Sequence, residues 1–188
     1  MPNSCHDKDM EQRGLKTRMY NNLQYKDGGR VQDGVGLITS ILLRYSEVGS
    51  VQYWREQHAL KFTFMLKQHL ELAALQEDLR PALEFFHQLE GRNMRVFDII
   101  CRSEENVCVI TITRDVDSLT QREVGLIVEL IKRKYRKKLV YDEINLPEDE
   151  QIFQEEMIGQ MLSSIQSHDV DKSIVALREE GRVLVFKS

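Results

Sequence analysis

Three segments of the chain repeat one local pattern: an apolar run, a short charged tip, and a second apolar run in matching register. They span residues 51–64, 97–112 and 175–186. Opposite residues of an antiparallel hairpin keep a constant index sum, and their side chains alternate between two faces, so each segment implies a register. A turn centred on Glu56 and Gln57 sets Tyr53 opposite Leu60 and Val51 opposite Phe62. One centred on Glu104 and Glu105, or a wider loop over 103–106, pairs Cys101 with Cys108, Ile99 with Ile110 and Phe97 with Ile112. The third, centred on Glu180 and Gly181, pairs Leu177 with Leu184 and Val175 with Phe186. Each register gathers large apolar residues on one face and leaves Gln52 with Lys61, Asp98 with Thr111, and Arg178 with Val183 on the other. A chain so patterned is a folded antiparallel-sheet protein with helices between its hairpins.

The helical segments follow from 3.6-residue periodicity. Residues 37–45 place Leu37, Ile38, Ile41, Leu42 and Tyr45 on one stripe. A helical region over 68–90 ends at Gly91, with Pro81 either kinking it or opening a second helix. Ser118-Leu-Thr-Gln121 is a capping-box signature before Val124, Ile127, Val128, Ile131 and Tyr135, and residues 138–142 read as a short strand. The acidic run after Pro147 opens another helix bearing Phe153, Met157, Ile158, Met161, Leu162 and Ile165. Residues 59–142 thus read strand, helix, strand, strand, helix, strand, the order of a ferredoxin-like (split βαβ) core. The extra strand at 51–55 competes for an edge, so either residues 138–142 are displaced or the sheet is an extended variant. The fold class is therefore α+β, a mainly antiparallel sheet with helices on one face. Its expected organisation is a disordered leader (1–34), an α+β core (35–145), and a C-terminal helix with a hairpin appendage (146–188).

Net charge of −4 implies no wholesale attraction to nucleic acid or anionic lipid. The polar start and the absence of a long apolar run point to neither secretion nor a membrane span, and three scattered cysteines to a reducing cytoplasm. No glycine-rich phosphate loop and no close His or Cys metal spacing occurs, so no catalytic, cofactor-binding or metal-binding residue is assigned. A zinc site from His69 and His87 is disfavoured by Pro81 between them. Cys101 and Cys108, facing one another, form either a redox-active cross-strand pair or two small core residues. The carboxylates Glu104, Glu105, Glu179 and Glu180 sit on hairpin tips and read as solvated.

The strongest charge feature is the basic run Lys132, Arg133, Lys134, Arg136, Lys137 and Lys138 around Tyr135. It suits a nucleic-acid or anion patch, but equally a helix C-terminus stabilised by cations or a cluster neutralised by the acidic segment 142–156. Tyr53 and the lone tryptophan, Trp54, with Phe153, Met157 and Met161, are candidate interface residues. The expected function is a non-enzymatic cytoplasmic interaction or regulatory protein. It self-associates as a homo-oligomer, or binds a protein partner, through the 148–166 helix or an exposed hairpin edge. The alternative is RNA or DNA binding through 132–138. No membrane partner is expected.

Overall fold

The computed structural model describes residues 29–67, 72–168 and 170–187. The first 28 residues of the expected leader, with Cys5, His6 and His69, lie outside the described residues. In chain order the elements are helix α1 (Gly29–Arg44), β1 (Ser50–Trp54), a 3-10 turn (Arg55–Gln57), β2 (Ala59–Leu66), α2 (Leu72–Leu89), β3 (Phe97–Glu104) and β4 (Val107–Asp115). They continue with α3 (Gln121–Tyr135), β5 (Leu139–Val140), α4 (Glu148–Ser167), β6 (Ile174–Glu179) and β7 (Arg182–Lys187). The fold is α+β: one seven-stranded antiparallel sheet and four helices among the described residues.

The sheet runs β3-β4-β2-β1-β6-β7, with β5 on β2. β4 holds one edge of β2 along its whole length, so β1 and β5 divide the other edge between them. β1 takes Ala59 to Thr63, and β5 has only Met65 and Leu66. The helix and hairpin after residue 146 belong to this same sheet and core. β6 pairs with β1, and Ile158, Leu162 and Ile165 of α4 join the cluster formed by the other helices and the sheet.

The first hairpin has the expected register, Tyr53 opposite Leu60 and Val51 opposite Phe62. Its loop is longer than two residues, because the 3-10 turn closes on His58 in the left-handed region (φ 46°). The second differs by two residues. Ile99 faces Ile112 and Cys101 faces Ile110, around a turn at Glu105 and Asn106 with Glu105 at φ 50°. A slip of two leaves every side chain on its original face, so apolar patterning cannot separate the two registers and the turn decides. In the third hairpin the register is as expected but the face is inverted. Tyr53 opposes Ile174 and Val51 opposes Ala176, which sends those two inward. Val175, Leu177, Leu184 and Phe186 therefore share the opposite face with Gln52. Both faces of β6 are apolar, and pairing with β1 selects the inner one. Arg178 consequently turns inward, and its three side-chain nitrogens are buried without a partner among the described residues.

The stripe on α1 is buried as its periodicity requires, but the helix starts earlier, running through Gly34 and Gly36. A Cβ on Gly34 would come within 3.0 Å of Ile174 Cδ1, and one on Gly36 within 3.5 Å of Met161 Sδ. Gly34 thus permits the close approach of α1 to β6, whereas a Cβ on Gly36 would meet Met161 of α4 at ordinary contact distance. α2 is a single helix with Pro81 inside it; Leu75, Leu79, Leu83 and His87 repeat every four residues along its buried side. Phe85 and Leu89 of its apolar second half are exposed. It ends in a Schellman motif: Gly91 takes φ 64°, Arg92 N–H donates to His87 O, and Gly91 N–H to Gln88 O. α3 is capped by Thr120, whose hydroxyl accepts from Glu123 N–H. That start lies two residues after the expected Ser118, which is engaged elsewhere.

Candidate functional site

The inner face of the sheet carries Val51, Tyr53, Phe62, Phe64, Ile110 and Ile112, all buried in the main core cluster. Register puts Gln52, Trp54, Lys61, Thr63, Ile100 and Thr111 on the other face. On that face a groove of about 540 Å³ runs over β1, β2, β4 and β3. Its apolar content is unusual for a solvated face: Met65, Ile100 (42% exposed), Val107 and Phe186 (50% exposed) are large and accessible. Trp54 sits at one end with Lys61 Nζ 3.5 Å from its ring centroid and its indole N–H donating to Glu56 at 3.1 Å. The polar residues are balanced in sign, Lys61, Arg102 and Arg182 against Asp98, Glu104 and Glu179.

Of the residues singled out from sequence, Trp54 lies on this surface, whereas Tyr53 does not. Tyr53 is buried, and its hydroxyl meets His58 Nδ1 at 3.0 Å. On α4, Phe153 and Ile152 are exposed, Met157 is half-buried, and Met161 packs against the core beside Gly36. Gln154, Ile158, Leu162 and Ile165 form the side of α4 that is buried.

The basic run is partly spent within the chain. Lys132 Nζ binds Glu47 at 2.6 Å, and that hydrogen bond, opposed by burial, raises the ammonium pKa above its ordinary value. Lys134 pairs with Asp78 and donates to Ala74 O at 3.1 Å. Neither acid belongs to the 142–156 segment considered from sequence. Arg133, Arg136, Lys137 and Lys138 remain exposed, but Tyr135 is buried in the core and is no stacking platform.

A buried polar cluster was not foreseen. Arg114, fully buried at the end of β4, donates from Nε to Glu123 Oε1 at 2.6 Å and from Nη2 to Ser118 Oγ at 3.0 Å. Its Nη1 reaches Asp115 Oδ1 at 2.5 Å and also Val96 O. Asp115 accepts from the N–H groups of Arg95, Val96 and Ser118 and from the Ser118 hydroxyl. Burial raises the Asp115 pKa, but the hydrogen bonds from Ser118 and Val96 and the Arg114 charge outweigh it. The carboxyl is held well below the usual aspartate range. His87 Nε2 lies 3.0 Å from Glu123 Oε2 and 3.1 Å from Arg114 Nη2. With the proton on Nε2, His87 donates to Glu123, leaving Arg114 to bond Ser118 and the carboxylates. Sequence does carry a signal for this cluster. Arg114 continues the inward alternation Cys108, Ile110, Ile112, and Glu123 lies four residues before Ile127 on the buried stripe of α3.

Cys101 and Cys108 are joined in a disulfide, with Cα atoms 6.5 Å apart. They sit diagonally, not opposite: Cys101 faces Ile110 and Cys108 faces Ser103. Among the described residues no three His, Cys, Asp or Glu side chains form a metal-binding group, and no helix is long and apolar enough to cross a membrane. No protein-family model, curated protein or solved structure matches the chain.

Proposed function

We propose that the chain is a non-enzymatic interaction protein that self-associates by stacking the outer sheet faces of two copies. The observation carrying this reading is the accessible apolar side chains spread over that face, Ile100 on edge strand β3 and Phe186 on edge strand β7, with Trp54 between them on β1 as an anchor. Large exposed apolar patches with polar surroundings mark protein contacts. Size supports a second copy as the occupant. Six strands at about 4.8 Å spacing, averaging about 23 Å in length, give a flat footprint of roughly 550 Å². Side-chain relief brings the accessible area toward the ~800 Å² per partner of a standard interface. Sign balance supports it too, since a neutral face with interspersed charges is complementary to itself under a two-fold axis. The β5-β2-β4-β3 order, with α2 and α3 as crossovers, fits a ferredoxin-like core whose edge strand β5 is shortened by β1. On that reading all four helices cover one side and leave the other for a partner.

Sedimentation velocity from about 1 to 100 µM, where an interface of this size changes mass, tests the proposal. A dimer that becomes monomeric in Ile100→Lys/Phe186→Lys, with unchanged circular dichroism, supports it. A wild-type chain that stays monomeric, or a double variant that stays dimeric, refutes it. The four exposed cations Arg133, Arg136, Lys137 and Lys138 favour a second reading, RNA or DNA binding with steep salt dependence. Heparin and single-stranded RNA retention at two salt concentrations, with those four residues neutralised, decides that reading.

A further inference from the structure

Away from the outer sheet face, a second concavity of about 510 Å³ lies between the C-terminal half of α2 and the segment leading into β3. Its walls hold Arg80, Arg92 and Arg95 against one carboxylate, Glu84, a formal excess of two positive charges. We propose that this pocket binds a small, multiply charged oxyanion, a phosphate or carboxylate group. Guanidinium forks suit such groups because their paired N–H donors match two oxygens at once.

The frame behind these arginines is fixed. Asp115 Oδ1 accepts from the backbone N–H of Arg95 at 3.1 Å and of Val96 at 2.8 Å, which pins the segment carrying them to the buried cluster. Arg92 N–H is held by His87 O at 2.9 Å, and Arg80 stacks 4.8 Å over the Phe97 ring. Competition for the side chains is weak. Arg80 reaches Glu84 only at 3.9 Å, and Arg92 has no side-chain partner among the described residues; Arg95 alone is drawn off, to Asp117 at 2.8 Å. A helix C-terminus ordinarily repels anions, but the Schellman bonds occupy two of the carbonyls that do so.

His87 lines the pocket, 3% exposed, and its Nε2 faces the Arg114–Glu123 pair, so the buried cluster anchors the α2 side of the cavity and contacts to a ligand's oxygens fall to the arginines.

The test is a calorimetric titration of the full chain with pyrophosphate and, separately, citrate, at ionic strength matched with sodium chloride. Amide chemical shifts of residues 92–97 are followed in parallel. Binding of either probe, with shifts confined to that segment and α2, is expected. Pyrophosphate alone identifies a phosphate ligand and citrate alone a carboxylate. Affinity should fall about tenfold or more in Arg80→Ala/Arg92→Ala, both exposed positions, and stay unchanged in Arg136→Ala/Lys137→Ala. The inference is overturned if neither probe binds beyond the chloride control. It is equally overturned if the Arg136→Ala/Lys137→Ala variant abolishes binding, or if Arg80→Ala/Arg92→Ala retains it.

Discussion

Replacing Glu123 with alanine removes the carboxylate that accepts both Nε and Nη2 of a fully buried arginine, at 2.6 and 3.3 Å. Arg114 keeps Asp115, Val96 O and Ser118, so its charge is not abandoned, but its Nε loses its acceptor where no water reaches. His87 loses its Glu123 partner at the same time. Removing one member of a buried pair costs about 3–5 kcal/mol. With a urea m-value of about 2 kcal/mol/M, the unfolding midpoint should drop by roughly 1.5–2.5 M. The informative comparison is the double variant Arg114→Met/Glu123→Leu, which replaces both charges with side chains of similar bulk. Asp115 there still holds its four other hydrogen bonds. The double variant should therefore recover at least about half of the single-variant loss, since apolar replacement of a whole buried pair is often neutral or better. Urea melts read by far-ultraviolet circular dichroism measure all four corners of the cycle. A single-variant loss below about 1 kcal/mol, or a double variant as unstable as the sum of its parts, refutes the reasoning.

Because the Asp115 pKa is depressed on folding, its contribution is present above the ordinary aspartate pKa of about 4 and is lost as pH falls toward the folded value. Stability measured at about pH 7 and pH 3 should fall less in Asp115→Asn than in the wild-type chain; equal pH slopes contradict this. Reducing the Cys101–Cys108 bond, which closes a loop with sequence separation 7, should cost at most about 2.5 kcal/mol by loop entropy. Melts with and without reductant, and of Cys101→Ala/Cys108→Ala, read that loss. Gly34→Val should destabilise by about 1–3 kcal/mol, since its side chain meets Ile174 and Val170 across the α1–β6 contact. A Gly34→Val chain as stable as wild type would show that α1 can lift from β6 without cost.

Period-two alternation made the hairpins legible, because Tyr53 and Leu60 have no other way to share a buried face. It failed where two answers are degenerate. The second hairpin slipped by an even step that alternation cannot detect, and β6 has an apolar residue available for either side. The face of β6 is fixed by β1, more than a hundred residues away, and local pattern holds no record of that pairing. The inward alternation of Arg114 and the stripe position of Glu123 were readable, but only as charges at core positions; which carboxylate meets which donor depends on how α3 docks. The basic run shows the reverse limit. Its composition was plain, yet Lys132 and Lys134 are neutralised by Glu47 and Asp78, partners distant in sequence and near only in the folded chain.

The pairing of β1 with β6 also has a consequence for synthesis. Tyr53 waits for Ile174, and α1 packs on α4 and β6, segments translated more than a hundred residues later. The apolar stripe of α1 and the second edge of β1 therefore emerge without their partners, and stay so until α4 and β6 have been translated. Closing so long a loop is slow, and it makes the nascent chain a client for holding chaperones in a way that the locally paired β3–β4 ribbon is not.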